Sequence, residues 1–277
     1  MKPLRPSRIG VALRLPAAMF LVSSLPAAPI VWDNSNGTNA WSTAANWDTN
    51  TEPTSADDVT FPAGLAATIT TTTTENALSL TFQDAYTLSG GTLALASGNS
   101  VNVANGVTAT LSNALTITGG LSKTGDGTLV LGGTNTNAGG TVISAGKIRV
   151  SNASALGAAG IVTTVNSGTT LEVANAITLD RPVTLMHNGT VAGLGTSFNN
   201  GKITIDAAAT AVTLATDSSS DVFSVGNGAN DITGGSGATV ISVGGPGTVR
   251  LGAASDFDGS WAVPTGRLEL GAAAALG

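Results

Sequence analysis

From residue 64 onward, apolar and polar positions alternate in short runs. Ala67-Thr68-Ile69-Thr70, Leu78 to Phe82, Thr92 to Leu95, Val101 to Val103, Leu115 to Ile117 and Thr128 to Leu131 all follow this rule. Thr169 to Val173, Val183 to Leu185, Lys202 to Ile205 and Val212 to Leu214 continue it. A period of two sends successive side chains to opposite faces, so each run predicts a strand with one face inward. Gly-Gly, Asn-Gly, Ser-Gly and Asp-Gly pairs separate the runs and supply the positive φ that a tight turn requires. No segment carries a 3.6-residue period with caps. Ala153 to Ala159 predicts one turn of helix at most.

The pattern also repeats. Leu121 to Gly157 (LSKTGDGTLVLGGTNTNAGGTVISAGKIRVSNASALG) aligns without a gap on Ile241 to Gly277 (ISVGGPGTVRLGAASDFDGSWAVPTGRLELGAAAALG). Gly125 meets Gly245, Gly127 meets Gly247, Leu131 meets Leu251, Gly146 meets Gly266, and Leu156-Gly157 meets Leu276-Gly277. Many short strands fit a β-sandwich or a parallel β-helix. Self-similar units favour the β-helix, because stacked coils tolerate repetition where a Greek key does not. The expected fold is therefore all-β: a right-handed parallel β-helix over 64–277, with two or three strands per coil. At roughly 20–25 residues per coil, about 9–10 coils would stack into a rod on the order of 45 Å long. The inward side chains of the repeat are predicted at Leu129, Leu131, Ile148 and Val150.

Residues 29–63 break the pattern. Trp32, Trp41 and Trp47 lie here with Phe61, and Asp57-Asp58 precede the short run Val59-Thr60-Phe61. Two readings compete. The tryptophans could form a platform for sugar rings, or they could cap the open end of the core. Stacked arrays need atypical terminal units, which favours the cap.

Composition narrows the class. The chain has 277 residues, 36 of them Gly, with 10% charged, 4% aromatic and no Cys. That suits short strands joined by small turn residues, and it removes disulfides and thiolate sites. Charge is distributed unevenly: Lys2, Arg5, Arg8 and Arg14 precede every Asp and Glu, leaving 7 basic against 17 acidic residues, a net of −10, from residue 29 on. This sign argues against nucleic acid and anionic membrane surfaces as partners. Residues 1–28 predict a secretory signal, with a basic start, an apolar run around Leu15 to Val22, and small residues at Ser23, Ser24, Ala27 and Ala28. That run is shorter than the ~20 residues of a transmembrane helix, so no membrane insertion is expected within this chain.

With these residues in place, the repeat resembles the autotransporter-associated β-strand repeat of large secreted bacterial surface proteins. The resemblance rests on Leu121, Lys123, Gly125, Gly127, Leu129, Leu131, Gly133, Asn135, Thr136, Gly139, Gly140, Thr141, Ile143, Gly146, Ile148, Val150, Leu156 and Gly157. It departs at Asn137, where the family usually carries an aromatic. In the second copy the lysine is absent and Ser255 replaces the loop Asn. The N-terminal segment, with Asn46-Trp47 and the stretch from Pro53 to Phe61, also resembles such proteins. The resemblance implies a passenger-type β-helical stalk, secreted or held at the bacterial cell surface and outer membrane. It also implies an adhesin-like role toward a surface glycan or a host or neighbour-cell ligand, and continuation into further repeats or a C-terminal anchor. It implies neither catalysis nor a cofactor.

Chemistry has few candidates. His187 is the only histidine, and a lone His without Cys cannot build the usual zinc sites. There is no GxSxG elbow and no phosphate-binding GxxxxGK[ST]. A polysaccharide-acting enzyme would need converging carboxylates with a basic residue. The available pairs are Asp57-Asp58, Asp217 with Asp221, and Asp256 with Asp258, the last near Arg250 and Arg267. Gly226 to Gly237 loosely resembles a calcium-binding Gly/Asp nonapeptide, but a Gly/Asn turn explains it better. No catalytic, metal or cofactor site is assigned. The alternatives to a non-enzymatic stalk are an enzyme on the same scaffold and a carbohydrate-binding module using Trp32, Trp41 and Trp47.

Overall fold

The structure, a computed structural model, describes residues 28–226, 228 and 231–277. The predicted signal at 1–28 therefore lies almost wholly outside the described residues. The rest is a parallel β-solenoid of about ten turns. Its cross-section has three faces. On the first face, Ile30–Val31, Asp58–Phe61, Ser79–Phe82, Val101–Val103, Leu121–Thr124 and Thr141–Ile143 stack in order, each parallel to the last. Thr163–Val165, Val183–Leu185 and Ile203–Ile205 continue that stack. The second face is built from strands such as Thr108–Leu111, Thr128–Leu131, Lys147–Val150, Thr170–Val173 and Thr190–Gly193. The third includes Ala114–Ile117, Thr136–Asn137, Thr178–Leu179, Thr196–Asn199, Val222–Val225, Thr248–Leu251 and Arg267–Leu270.

Register holds because the inward column is apolar in nearly every coil. Ala109, Leu129, Ile148, Leu171, Val191, Leu214 and Val243 are paired in sequence up the second face. All are buried. A slip of one residue would turn that whole column outward. From Val59 to Ile205, first-face partners recur every 20 to 22 residues. The four inward positions predicted for the repeat, Leu129, Leu131, Ile148 and Val150, have no exposed surface.

Some corners turn without breaking the strand. Thr68–Ala77 and Thr87–Leu95 each run across two faces, with a register shift between Thr71 and Thr74. Others depend on glycine. Gly146 has φ of +65°, and a Cβ there would meet the carbonyl oxygens of Gly127 and Gly125 in the coil below.

The two sequence repeats adopt the same local structure but not the same position. Each spans two complete coils. In the first copy, Leu121–Thr124 lies on the first face and Thr128–Leu131 on the second. In the second copy, Ile241 and Val243 belong to the second face and Thr248–Leu251 to the third. The second copy is therefore advanced by one face. Its internal geometry is unchanged: Thr128 pairs with Lys147 as Thr248 pairs with Arg267. Gly266 sits over Gly245 and Gly247 as Gly146 sits over Gly125 and Gly127.

The N-terminal aromatic segment closes one end. Trp32, Trp41 and Trp47 have no exposed surface. Trp47 meets Trp32 and Trp41 edge-on at 5.0 and 4.9 Å, and its indole N–H donates to the Trp41 carbonyl at 2.8 Å. Phe61 stacks on Phe82 at 4.8 Å, joining the cluster to the first-face column. Ile30–Val31 and Asp58–Phe61 are themselves rungs of that face, so cap and solenoid share one core. This corrects the sugar-platform reading of Trp32, Trp41 and Trp47. A platform needs open ring faces, and these rings are spent on filling the core. At the other end the last rungs are less covered, with Val263 and Leu270 each 47% exposed.

Candidate functional site

Three surface depressions lie along the same edge, where the third face turns into the first. One, of about 510 Å³, is bordered by Asn99, Ser100, Gly120, Ser122 and Gly140. The next, about 490 Å³, is bordered by Ile117, Thr134 to Ala138, Ser154, Gly157, Ala158 and Arg181. The last, about 390 Å³, is bordered by Phe198, Asn200, Ser224, Gly226, Arg250 and Gly252. The corner is concave because the residues that turn there are small. In the middle depression the third face also lacks a strand: between Thr136–Asn137 and Thr178–Leu179 the chain makes only turns over Ser151 to Gly160.

Asparagines satisfy the backbone across that gap. Asn135 Oδ1 accepts from the Leu115 N–H at 2.9 Å, and its Nδ2 donates to the Ala155 carbonyl at 2.6 Å. One side chain thus ties the coils below and above its own. Asn137 Nδ2 donates to the Gly139 carbonyl at 2.9 Å. The aromatic absent at Asn137 is present in the second copy as Phe257, and Gly157 abuts Asn137 as Gly277 abuts Phe257.

The lysine of the repeat has an unexpected location. Lys123 lies inward, between Val101 and Ile143 in the first-face column, with no exposed surface. Its Nζ donates to the carbonyls of Thr124 (2.8 Å), Gly125 (2.7 Å) and Ala145 (3.2 Å). Burial lowers its pKa to about 8, with Asp126 opposing the shift. A carbonyl cage around a cation is a fixed structural arrangement; the geometry offers no electrophile and no partner base. Sequence reading marked Lys123 as a repeat residue but not as buried, because an alternating pattern Leu-Ser-Lys-Thr does not reveal its facing unless the lysine is accepted as an inward residue.

The other sequence candidates are dispersed. His187 Nδ1 faces the Thr210 hydroxyl at 3.2 Å on an exposed corner. Asp57 accepts from the Thr54 N–H and hydroxyl, and Asp58 bonds Ser79. Asp221 accepts from the backbone of Gly195, Asp217 and Ser218, which makes it a turn anchor. Asp256 and Asp258 share the outward side of the first face as expected, but Arg250 is on the third face, paired with Glu269 at 3.1 Å. The three pairs stand on separate coils, and the last is on a different face from Arg250. Part of the calcium-like stretch, residues 227, 229 and 230, lies outside the described residues; in the remainder, Asp231 accepts from the Gly228 N–H at 3.0 Å. Among the described residues no three metal-ligating side chains converge. Among the described residues the one ionic cluster is outward on the second face, where Glu172 bridges Lys147 (2.6 Å) and Arg149 of the preceding coil.

Arg181 is the feature that sequence reading missed. It is 7% exposed and borders the middle depression. In the sequence it is only an arginine between Asp180 and Pro182, past the short run Ile177-Thr178-Leu179.

Comparison with known proteins agrees with this architecture. Residues 121–150 match the model of the passenger-associated-transport-repeat. Over 208 residues, 69% of this chain, the sequence is 29% identical to "Adhesin BmaC autotransporter" of Brucella suis biovar 1 (strain 1330). The chain spans 6% of the length of that relative. No solved structure matches. Among the described residues no helix is long and apolar enough to cross a membrane.

Proposed function

We propose that this chain, a passenger-type autotransporter repeat protein, serves as an exported, non-enzymatic stalk that displays an adhesive surface. The single observation that carries the reading is the continuous three-faced stack: about ten turns held by one closed apolar core. Such a rod is stiff because every rung is hydrogen-bonded to the next, and it can hold its corners away from a cell. The aspartate pairs nominated from the sequence are turn anchors or outward surface groups. Carboxyls do meet at Glu52 and Glu75, where the shared hydrogen bond with Glu75 and burial raise Glu52 to about 7, but Glu75 is only 1% exposed and, among the described residues, no basic residue is paired with either. The relative whose name records adhesion supports the binding role, and the basic, apolar leader expected at 1–28 supports export.

Beads coated with the purified chain provide the test. Saturable attachment to epithelial or bacterial cell surfaces is expected, blocked by free chain. A polysaccharide panel incubated with the same preparation should show no new reducing ends and no unsaturated uronate absorbance. Turnover of any glycan would replace the stalk with the enzyme reading. Attachment no better than that of beads carrying an unrelated β-solenoid would remove the adhesive role.

A further inference from the structure

We propose that the middle corner depression is a binding site for a carboxylate-bearing sugar, with Arg181 as its anion anchor. The inference rests on the adhesive reading and specifies its ligand class.

Arg181 is in an unusual position for a cation. It is nine-tenths buried, and among the described residues it forms no ion pair. Nη1 donates to the Asp180 carbonyl at 2.9 Å and Nη2 donates to the Gly157 carbonyl, while Nε has no partner. A guanidinium taken out of water and met only by neutral carbonyls retains most of its desolvation cost. A carboxylate arriving beside it would form a charge-assisted, directional contact that a neutral group cannot match. The depression next to it supplies space of about 490 Å³, within the range that holds a small ligand.

The lining suits a sugar. Thr134 and Thr136 present exposed positions, and Ser154 borders the same space, giving hydroxyl groups for a ring's hydroxyls. Ala138 and Ala158, both exposed, add an apolar strip for its C–H face. The acidic balance of the chain disfavours polyanions at long range, so the fit is to a single acidic residue on an otherwise neutral glycan.

The probes are methyl β-glucuronide, its neutral counterpart methyl β-glucoside, and acetate as the carboxylate alone, each titrated into the full chain by calorimetry or NMR. Glucuronide is expected to bind saturably, and glucoside about tenfold more weakly or not at all. Acetate should compete with glucuronide. Arg181→Gln should weaken glucuronide by about tenfold or more while leaving glucoside unchanged. Because that variant also removes a bond to Gly157 that holds the corner, Ala138→Trp provides a second arm: residue 138 is exposed on the rim, so the substitution fills the depression without touching the core. Loss of glucuronide binding in a folded Ala138→Trp chain supports the site. Equal affinity for glucuronide and glucoside, full binding by Ala138→Trp, or no saturable glucuronide binding would overturn it. If coated beads adhere equally with and without Ala138→Trp, the adhesive role stands and this site fails. If glucuronide binds but beads do not adhere, the reverse holds.

Discussion

Lys123 shows how one residue can couple this fold to pH. The unfolded chain keeps its proton up to about 10.5, whereas the folded chain releases it at about 8. Between those values the unfolded state binds more protons, so stability rises as pH rises from 8 to 10.5. Below 8 both states are protonated, and the cost of the buried charge is constant and full. The difference is worth about 3 kcal/mol. Urea midpoints of the native chain should climb between pH 8 and 10, and those of Lys123→Met should stay flat across the same interval. A native chain with no slope there would mean that the ammonium is solvated. The repeat motif disclosed this lysine's presence, but its burial depends on the carbonyls of Ala145 and Gly125 meeting at one corner, which is a three-dimensional fact. Arg181 was illegible for the same reason: nothing near it in sequence announces that Gly157, a coil earlier, will lie against it.

At the scale of strands and corners, the alternating pattern was a sufficient guide. Leu129, Leu131, Ile148 and Val150 point inward because a stacked parallel strand has only one dry side. The number of faces was not legible. Thr71 to Thr74 turn a corner inside an unbroken threonine run, with no glycine or proline to mark it. The tryptophans illustrate a different ambiguity. Trp32, Trp41 and Trp47 are equally suited to a sugar platform and to a lid, and only the way Ile30–Val31 joins the first face selects the lid. Glycine corners give the sharper prediction. Gly146→Ala places a methyl group against two carbonyl oxygens at a positive φ, and should destabilise the chain by about 2 kcal/mol or more in thermal or chemical unfolding. Gly132→Ala is the control: its φ is ordinary and its nearest neighbour, the Ser151 hydroxyl, lies 3.3 Å from the added carbon, so the loss should be well under half as large.

The whole molecule behaves as a stack in which each coil answers only to its neighbours. Leu121 pairs with Thr141, one coil on, so deleting residues 121–140 joins Gly120 to Thr141 and removes a single complete turn. That chain should still give a β-type circular dichroism spectrum and a cooperative melt, at reduced stability. Deleting residues 131–140 removes only part of a turn. It drops the third-face rung Thr136–Asn137 while keeping the first-face one, leaves Ala114–Ile117 with an unpaired edge, and should yield an aggregating product. Equal behaviour of the two deletions would show that the stack is not coil-wise additive.

The one-face offset between the two copies of the repeat has a consequence for display. A module that closes equally well from any starting side has no preferred bearing around the rod axis. What fixes the compass direction of a projecting corner is then the tally of strands beneath it, independent of which module carries it. Slipping one strand between two modules swings everything beyond it by a third of a turn while barely lengthening the rod. Such a chain could re-aim the surfaces it presents by counting, with every module's own contacts left intact.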